Sequence, residues 1–339
     1  MTSSARGTGE PDGATAVQVV IVAWNSGVHL QKVLDALDAQ TFTDFEVTLW
    51  DNASTDGAAV GARLPARTTY VDGGSNLGFA VGNNRAAALG ESRWIATLNP
   101  DAVPEPGWLG ALVAAGEATG AASVGSVQLL AEDPSKLDGL GDVYSVTGFA
   151  WRGGYLRPRA EIDVPLSEIS SPCAAAALYR RDAFEDCGGF DERFFCYFED
   201  VDLGLRLRLR GGRNVLTPDA VVHHVGSASS STVSGFAEYH GARNMVWSFA
   251  KTMPAVLLPV ALPLFVGLHL FLLVSLSRHR EYWVPRARGL RDGVRGLAPF
   301  VRDRPLWRPR DRRSYLRSLS WNPLDVTHRP ARMRPLETR

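Results

Sequence analysis

With 339 residues, 45% of them hydrophobic, the chain has apolar material for a sizeable core and length for one large or two modest domains. Cys173, Cys187 and Cys196 are odd in number and lack Cys-x-x-Cys spacing, which excludes a disulfide framework and suits free thiols in a reducing compartment. The 36 basic and 36 acidic residues cancel, but from Arg278 onward 17 arginines face 6 acids, so the remainder is acidic.

Residues 1–15 are mostly polar and rich in Gly, Ser and Thr, which reads as a flexible leader with no secretory signal. Residues 17–23 are a continuous apolar run, the pattern of a buried parallel strand. Leu30, Val33, Leu34 and Leu37 follow at helical spacing. Residues 45–50 predict a second strand ending at Asp51. Residues 68–71 predict a third, followed by the turn Gly73-Gly74-Ser75-Asn76-Leu77-Gly78. A helix over 79–89, a strand over 94–98 and a helix over 106–118 continue a β-α repeat. The alternation then becomes irregular, with Trp151, Gly153, Gly154 and Tyr155 in a loop or hairpin. Order returns with a strand over 174–179, a helix from Arg181, and a helix over 199–210 that lines up Val201, Leu205 and Leu209. A last strand over 214–222 runs into His223-His224. The simplest architecture is α/β, a doubly wound, mostly parallel sheet flanked by helices over residues 16–250.

Four polar clusters punctuate this pattern. Asn99-Pro100-Asp101 places a carboxylate at a proline-fixed corner on the C-terminal edge of a strand, where open α/β sheets bind ligands; it is also an ordinary turn. Asp51-Asn52-Ala53-Ser54-Thr55-Asp56 offers a carboxylate to a ribose or base N–H, but taken alone it reads first as an Asx turn capping the next helix. Residues 76–84 set amides and small residues at a strand-to-helix junction, which offers backbone N–H groups to an anion or forms an amide-capped loop. Phe195-Cys196-Tyr197-Phe198-Glu199-Asp200-Val201-Asp202 brings three acids after an aromatic group. Acids in a first helical turn complement the dipole, and aromatic walls raise the proton affinity that a general base needs. Asp200 and Asp202 cannot share a helix face, so one of them faces a substrate. His224 and Asp101 together suit one divalent cation completed by phosphate oxygens, with His223 pointing the other way.

In this order the motifs resemble glycosyltransferase family 2, the inverting nucleotide-sugar transferases of the GT-A fold, and most of all its rhamnosyl- and galactofuranosyl-transferases. The resemblance covers roughly residues 17–245, through Val22-Ala23-Trp24-Asn25, the Asp51 and Asn76 clusters, Asn99-Pro100-Asp101, Gly188-Gly189-Phe190-Asp191-Glu192-Arg193-Phe194-Phe195, Glu199-Asp200-Val201-Asp202-Leu203 and His224. It implies Asp200 as the catalytic base, and Asp101 with His224 as ligands of a Mg2+ or Mn2+ ion. It implies a nucleotide-sugar held by Ala23, Asn25, Asp51, Asn52, Asn76, Gly78, Asn83 and Asn99, with Glu199, Asp202 and Trp151 supporting the acceptor side. Rhamnose from dTDP-rhamnose is the first expectation for the donor, galactofuranose or another hexose the alternative. Two departures stand out: Pro172-Cys173-Ala174-Ala175 replaces a glycine-bearing segment, and Asn-Pro-Asp replaces Asp-x-Asp. A nicotinamide enzyme would need Gly-x-Gly-x-x-Gly after the first strand, where the chain has Trp24-Asn25-Ser26-Gly27-Val28. A catalytically silent nucleotide-sugar-binding module is the competing class.

Residues 255–276 are almost wholly apolar and long enough to span ~30 Å at 1.5 Å per residue. A single crossing conflicts with a cytoplasmic donor combined with an arginine-rich tail over 281–339, since both belong on the same side. A proline-broken hairpin, or a helix on the bilayer surface, over residues 251–280 removes the conflict. Arginines mixed with Trp283, Trp307 and Trp321 suit anionic headgroups; a nucleic-acid patch would leave the apolar segment without a purpose. The expected partners are therefore a lipid-linked glycan acceptor and the cytoplasmic face of the cell membrane, with no nucleic acid.

Overall fold

In the computed structural model, which describes residues 15–226, 235–304 and 309–336, the first apolar run forms β1 (Val17–Ala23), buried along nearly its whole length. The leader expected over 1–15 lies outside the described residues but for its last one. Helix α1 (Gly27–Asp38) turns Leu30, Val33, Leu34 and Leu37 inward, as their spacing predicts. The alternation continues through β2 (Phe45–Asp51), β3 (Thr68–Asp72), α2 (Gly78–Ala87), β4 (Trp94–Leu98), β5 (Ala102–Pro104), α3 (Trp108–Thr119) and β6 (Ser123–Leu130). The irregular stretch holds four short strands, β7 (Leu137–Gly139), β8 (Asp142–Ser145), β9 (Ala150–Arg152) and β10 (Ser167–Glu168). Then follow β11 (Ala176–Arg180), α4 (Arg181–Asp186), α5 (Glu199–Leu209), β12 (Asn214–His224), α6 (Phe236–Thr252), α7 (Leu258–Ser275), α8 (Arg280–Arg295), α9 (Leu297–Asp303), α10 (Arg312–Ser318), β13 (Leu319–Ser320), α11 (Asp325–His328) and β14 (Arg334–Pro335).

The large sheet has the order β14-β10-β12-β6-β11-β4-β1-β2-β3, with β5 beside β12 and β7 beside β6; β13, β8 and β9 form a second, small sheet. β1 pairs in parallel with β2 and β4, β2 with β3, and β12 with β6, while β11 runs antiparallel between β4 and β6. The chain winds outward from β1 to β3 and then crosses to β4 on the other side. That reversal opens a crevice at the C-terminal ends of β1 and β4, where open α/β sheets take their ligands. Alternate residues of β1 feed two cores: Val17, Val19 and Ile21 meet α1 and α3, while Val20 meets α2, α4 and α5.

Two expectations about the C-terminal part are corrected. Of the tail expected over 281–339, the described residues 281–304 and 309–336 pack onto the rest of the chain. β14 pairs with β10, β13 pairs with β8, and Phe300, Tyr315 and Leu319 are buried with Tyr144 and Phe194. Gly289 and Gly293 let α8 lie against α6: a Cβ on Gly289 would stand 2.3 Å from the Tyr239 carbonyl oxygen. Counting arginines hid the apolar residues between them, and those are what must be buried. Nor do the prolines break the apolar segment into a hairpin. Pro259 sits in the first turn of α7, where its missing N–H has no intrahelical partner to lose, and Pro263 is carried inside one helix. The stretch Ala255–Ser275 has a mean hydropathy of 2.4 yet is only 17% buried. It is held along one edge by Phe265 stacked on Phe249 and by Arg286 Nη2, 3.2 Å from His269 Nδ1. Val260, Leu262, Val266, Leu270, Phe271 and Val274 remain exposed.

Candidate active site

The register of β5 against β12 sets Ala102 opposite His224, which brings Asp101 to the imidazole: His224 Nε2 lies 3.3 Å from Asp101 Oδ1. Behind the ring, Nδ1 is 2.8 Å from Asp138 Oδ2, and both Asp138 oxygens lie 2.6 Å from Arg152 Nη1. Burial works against charge on Asp138, but hydrogen bonding to His224 and the guanidinium of Arg152 hold it below the usual carboxylate range. Burial likewise opposes a charged His224, and the two carboxylates overcome it and raise the imidazole above its ordinary value. His224 Nε2 is buried and makes no well-aligned hydrogen bond. An imidazole fixed through Nδ1 by one carboxylate, with Nε2 facing a second, matches a divalent-cation ligand pair with its orienting partner. Asp101 and His224 therefore fit the metal expected of them.

Arg152 joins this cluster to the second. Asp142 stands directly across from Arg152 in the β8–β9 ladder and is bridged to Ser171 on its other side. One oxygen each of Asp142 and Asp200 and the sulfur of Cys173 lie within 4.8 Å of one another. Asp200 opens α5, where its oxygens accept from Ala174 N (3.1 Å) and Val201 N (2.8 Å). Burial raises its proton affinity despite those hydrogen bonds. Asp142 is pushed well above the carboxylate range by burial and by the Asp200 charge, with Arg152 acting the other way. Glu199 rises similarly, through burial and then Asp200. The charge of Arg152 reaches His224, Asp138, Asp142 and Asp200 alike, so both clusters belong to one electrostatic centre.

The turn that delivers Asp200 is strained. Phe195, Tyr197 and Phe198 have φ of 66°, 68° and 71°, each a conformation that costs a non-glycine residue about 1–3 kcal/mol. Two features hold it. Asn244 of α6, fully buried, sets its amide nitrogen 3.0, 2.9 and 2.7 Å from the carbonyl oxygens of Phe194, Cys196 and Tyr197. On the other side Phe79 N donates to Phe195 O at 2.7 Å. That approach requires Gly78, whose φ is +82° and where a Cβ would meet Phe195 O at 2.5 Å.

Residues 18–188 match the family model described as "Glycosyl transferase family 2". The chain belongs to glycosyltransferase family 2. It is 34% identical over 253 residues, 66% of this chain and 80% of the relative, to an N-acetylglucosaminyl-diphospho-decaprenol L-rhamnosyltransferase of Mycobacterium tuberculosis. A mannosyltransferase from Pyrobaculum calidifontis solved with GDP-Man and Mn2+ has a TM-score of 0.53 at 17% identity, covering 87% of this chain and 86% of that one. S. aureus TarS 1-349 with UDP-GlcNAc gives 0.51 at 17% identity, covering 83% and 81%. The fold is thus the GT-A type, and the protein is a glycosyltransferase.

In this family 2 transferase the residues expected around the donor divide into two groups. Ala23, Asn25, Asp51 and Asn99 lie at or just beyond the ends of β1, β2 and β4, with Asn25 exposed, Asn99 half-buried, and Ala23 and Asp51 buried. Asp51 accepts from Ser54 N and Tyr70 Oη, and Asn25 Oδ1 accepts from Thr55 N at 2.8 Å, so the two loops lock together. Asn76 is exposed and uses only its oxygen, on Gly78 N. Asn52, Gly78 and Asn83, also expected at the donor, are buried and engaged within the chain. Asn52 is 2% exposed, with its oxygen taken by Trp50 Nε1 and its nitrogen by Gly78 O. Asn83 is equally buried and donates to Phe79 O within its own helix. The first amides of α2 are spent on Phe195 O instead of an anion. These residues build the floor beneath the Asp200 turn.

The three residues expected to support the acceptor side are all buried. Asp202 is fully buried and faces away from Asp200, bonded to Arg206 Nε at 2.6 Å and Lys251 Nζ at 3.0 Å. Trp151 is 6% exposed and gives its indole N–H to Pro330 O. Glu199 is 5% exposed, beside Asp200. Sequence reading missed Asp138, Asp142, Arg152 and Asn244. The first three lie in the irregular stretch, where the spacing in Asp138-Gly-Leu-Gly-Asp142 was the one available signal. Cys173, Cys187 and Cys196 are all free thiols, as expected.

Proposed function

We propose that this transferase moves a sugar, first of all rhamnose from dTDP-rhamnose, with inversion, onto a hydroxyl of a lipid-linked glycan at the cytoplasmic face of the cell membrane. The observation that carries the reading is the connected series Asp101, His224, Asp138, Arg152, Asp142, Asp200, in which a cation-ligand pair and a candidate base share one guanidinium. Asp101 and His224 would hold a divalent ion, Mg2+ or Mn2+, whose charge offsets that developing on the donor's diphosphate. Asp138 fixes the tautomer and aim of His224. Asp51 and the Asn25 loop receive the nucleoside in the crevice. Asp200 takes the proton of the acceptor hydroxyl as its oxygen attacks the anomeric carbon from the face opposite the leaving group.

The identity of the relative supports both rhamnose and a lipid-diphosphate acceptor, the latter also favoured by the exposed apolar face of α7 beside the arginine-rich α8. The test is a panel of nucleotide-sugars offered with a polyprenyl-diphosphate N-acetylglucosamine acceptor and read by product mass. Rhamnosyl product is expected, and transfer of a different hexose alone would redirect the donor assignment. Absence of any transfer would favour a silent binding module. The protein is also expected to float with vesicles of anionic phospholipid. Full recovery in the aqueous fraction at low salt, without detergent, would remove the membrane from the proposal.

A further inference from the structure

We propose that Asp142 is a positioning residue for the transfer reaction, a carboxylic acid kept neutral against Asp200 so that Asp200 alone presents charge to the acceptor. The inference rests on the reading of Asp200 as base and extends it to a residue that no sequence motif marked.

Asp142 has little freedom to move. Its backbone is paired with Arg152 on one side, and its amide donates to Ser171 O at 2.8 Å on the other. The residue is 8% exposed, and its Oδ2 is buried with no hydrogen-bond partner among the described residues. An ionised oxygen abandoned in such a place is the costly arrangement, whereas a carboxylic acid is far cheaper to bury. Asp200, by contrast, receives two backbone N–H donors, which favour its ionised form. Two carboxyl groups this close do not both ionise readily, so one proton belongs to the pair, and the donors decide which member carries it.

The surrounding charges point the same way. Asp142 is faced by Asp200 and Glu199 of α5, Asp138 of β7, Arg152 of β9, and Cys173 and Tyr179 on and before β11. Arg152 supplies the positive charge in this group, and its Nη1 is committed to Asp138. A second cation among Asp142, Cys173 and Asp200 is disfavoured by that guanidinium and by a thiol that burial keeps protonated.

The proton count is simple. The acceptor O–H bond breaks and its proton goes to Asp200. The oxygen bonds to the anomeric carbon, and the bond from that carbon to the diphosphate oxygen breaks, its electron pair leaving with the diphosphate. Asp142 keeps its own proton throughout. Were it ionised at rest, the shared proton would sit on Asp200, and the base would be blocked before substrate arrived.

Asn shares the neutrality of the acid but not its O–H, so Asp142→Asn is expected to lose part of kcat yet to stay well above Asp200→Asn, whose loss is about 10³-fold. The acid limb of Asp142→Asn in a kcat/KM against pH profile should stay where the wild type has it, because a neutral Asp142 places no charge on Asp200 over that range; a limb moved to lower pH would show an ionised Asp142 and overturn the proposal. A separate readout needs no substrate. In the full chain labelled with 13C-carboxyl aspartate, infrared spectra at neutral pH should show a protonated-aspartate C=O band, shifted by the label and so distinct from Glu199. Absence of that band overturns the proposal even if Asp142→Asn does not fold. So does a folded Asp142→Asn as inactive as Asp200→Asn. Full activity of Asp200→Asn would instead overturn the base assignment, while a protonated-aspartate band that survives in that variant and disappears in Asp142→Asn still reports on Asp142.

Discussion

Replacing Asp200 by asparagine is expected to lower kcat by about 10³-fold while leaving the donor's dissociation constant within a few-fold of wild type. The amide keeps the size of the carboxylate, and its one oxygen can accept from either Ala174 N or Val201 N, so one of the two hydrogen bonds on this side chain is given up. The amide cannot take a proton, so the main loss is of transition-state stabilisation. The pH profile gives the second half of the prediction. Burial raises the Asp200 carboxyl above its ordinary range, so wild-type activity should fall as pH drops through a value above that of a free aspartate. The residual rate of the variant should lack this acid limb. Retention of substantial transfer, or an unchanged limb, would transfer the role of base to another group.

Lys251→Ala is the second large effect, and it acts on the fold. The Lys251 ammonium is 3% exposed, 2.7 Å from Asp191 Oδ2 and 3.0 Å from Asp202 Oδ2; Asp202 is itself fully buried. Arg206 completes the group, reaching Asp202 Oδ2 at 2.6 Å and the carbonyls of Cys187 and Gly189 at 2.6 and 2.8 Å. Removing one member leaves buried carboxylate charge under-compensated, at about 3–5 kcal/mol, or roughly 10 °C in Tm. Burial opposes ionisation of Asp191, yet Arg193 and Lys251 hold it far below the usual carboxylate value. Its contribution is thus present above the unfolded pKa and lost as pH falls toward the lower folded one. The difference between wild type and variant should therefore persist at neutral pH and shrink in strong acid. Equal melting temperatures at pH 7 would show that the network contributes no net stability. Because the same ions tie α5 to α6, the variant should lose activity in step with stability.

Much of the framework was legible in the residues. The continuous apolar runs at β1 and β4 and the 3.6-residue spacing in α1 report interactions between near neighbours, and the structure places those elements within a few residues of their expected bounds. The acids at strand ends were legible for the same reason, since Asp51 and Asp101 follow turn chemistry that is local. What such patterns cannot carry is which amide is already taken. Asn52 and Asn83 look like ligand groups in a string of letters, and only the arrival of Trp50 Nε1 and the carbonyls of Gly78 and Phe79 shows them occupied. The arginine-rich end misled for a related reason: its charges are local, but the partners of Tyr315 and Leu319 lie in β8 and α6.

Periodicity and turn chemistry determined the β-α alternation and marked Asp101 and His224 as chemically able groups, because those signals act over a few residues, whereas the choice of Asp200 over Asp202 rested on the resemblance to family 2. Tertiary structure alone decided that Asp138 orients His224 across 86 residues of chain, and that Asp142 and Arg152 face one another beside Asp200. Their meeting is a matter of strand register and sheet order, and register is set by which faces must be buried together.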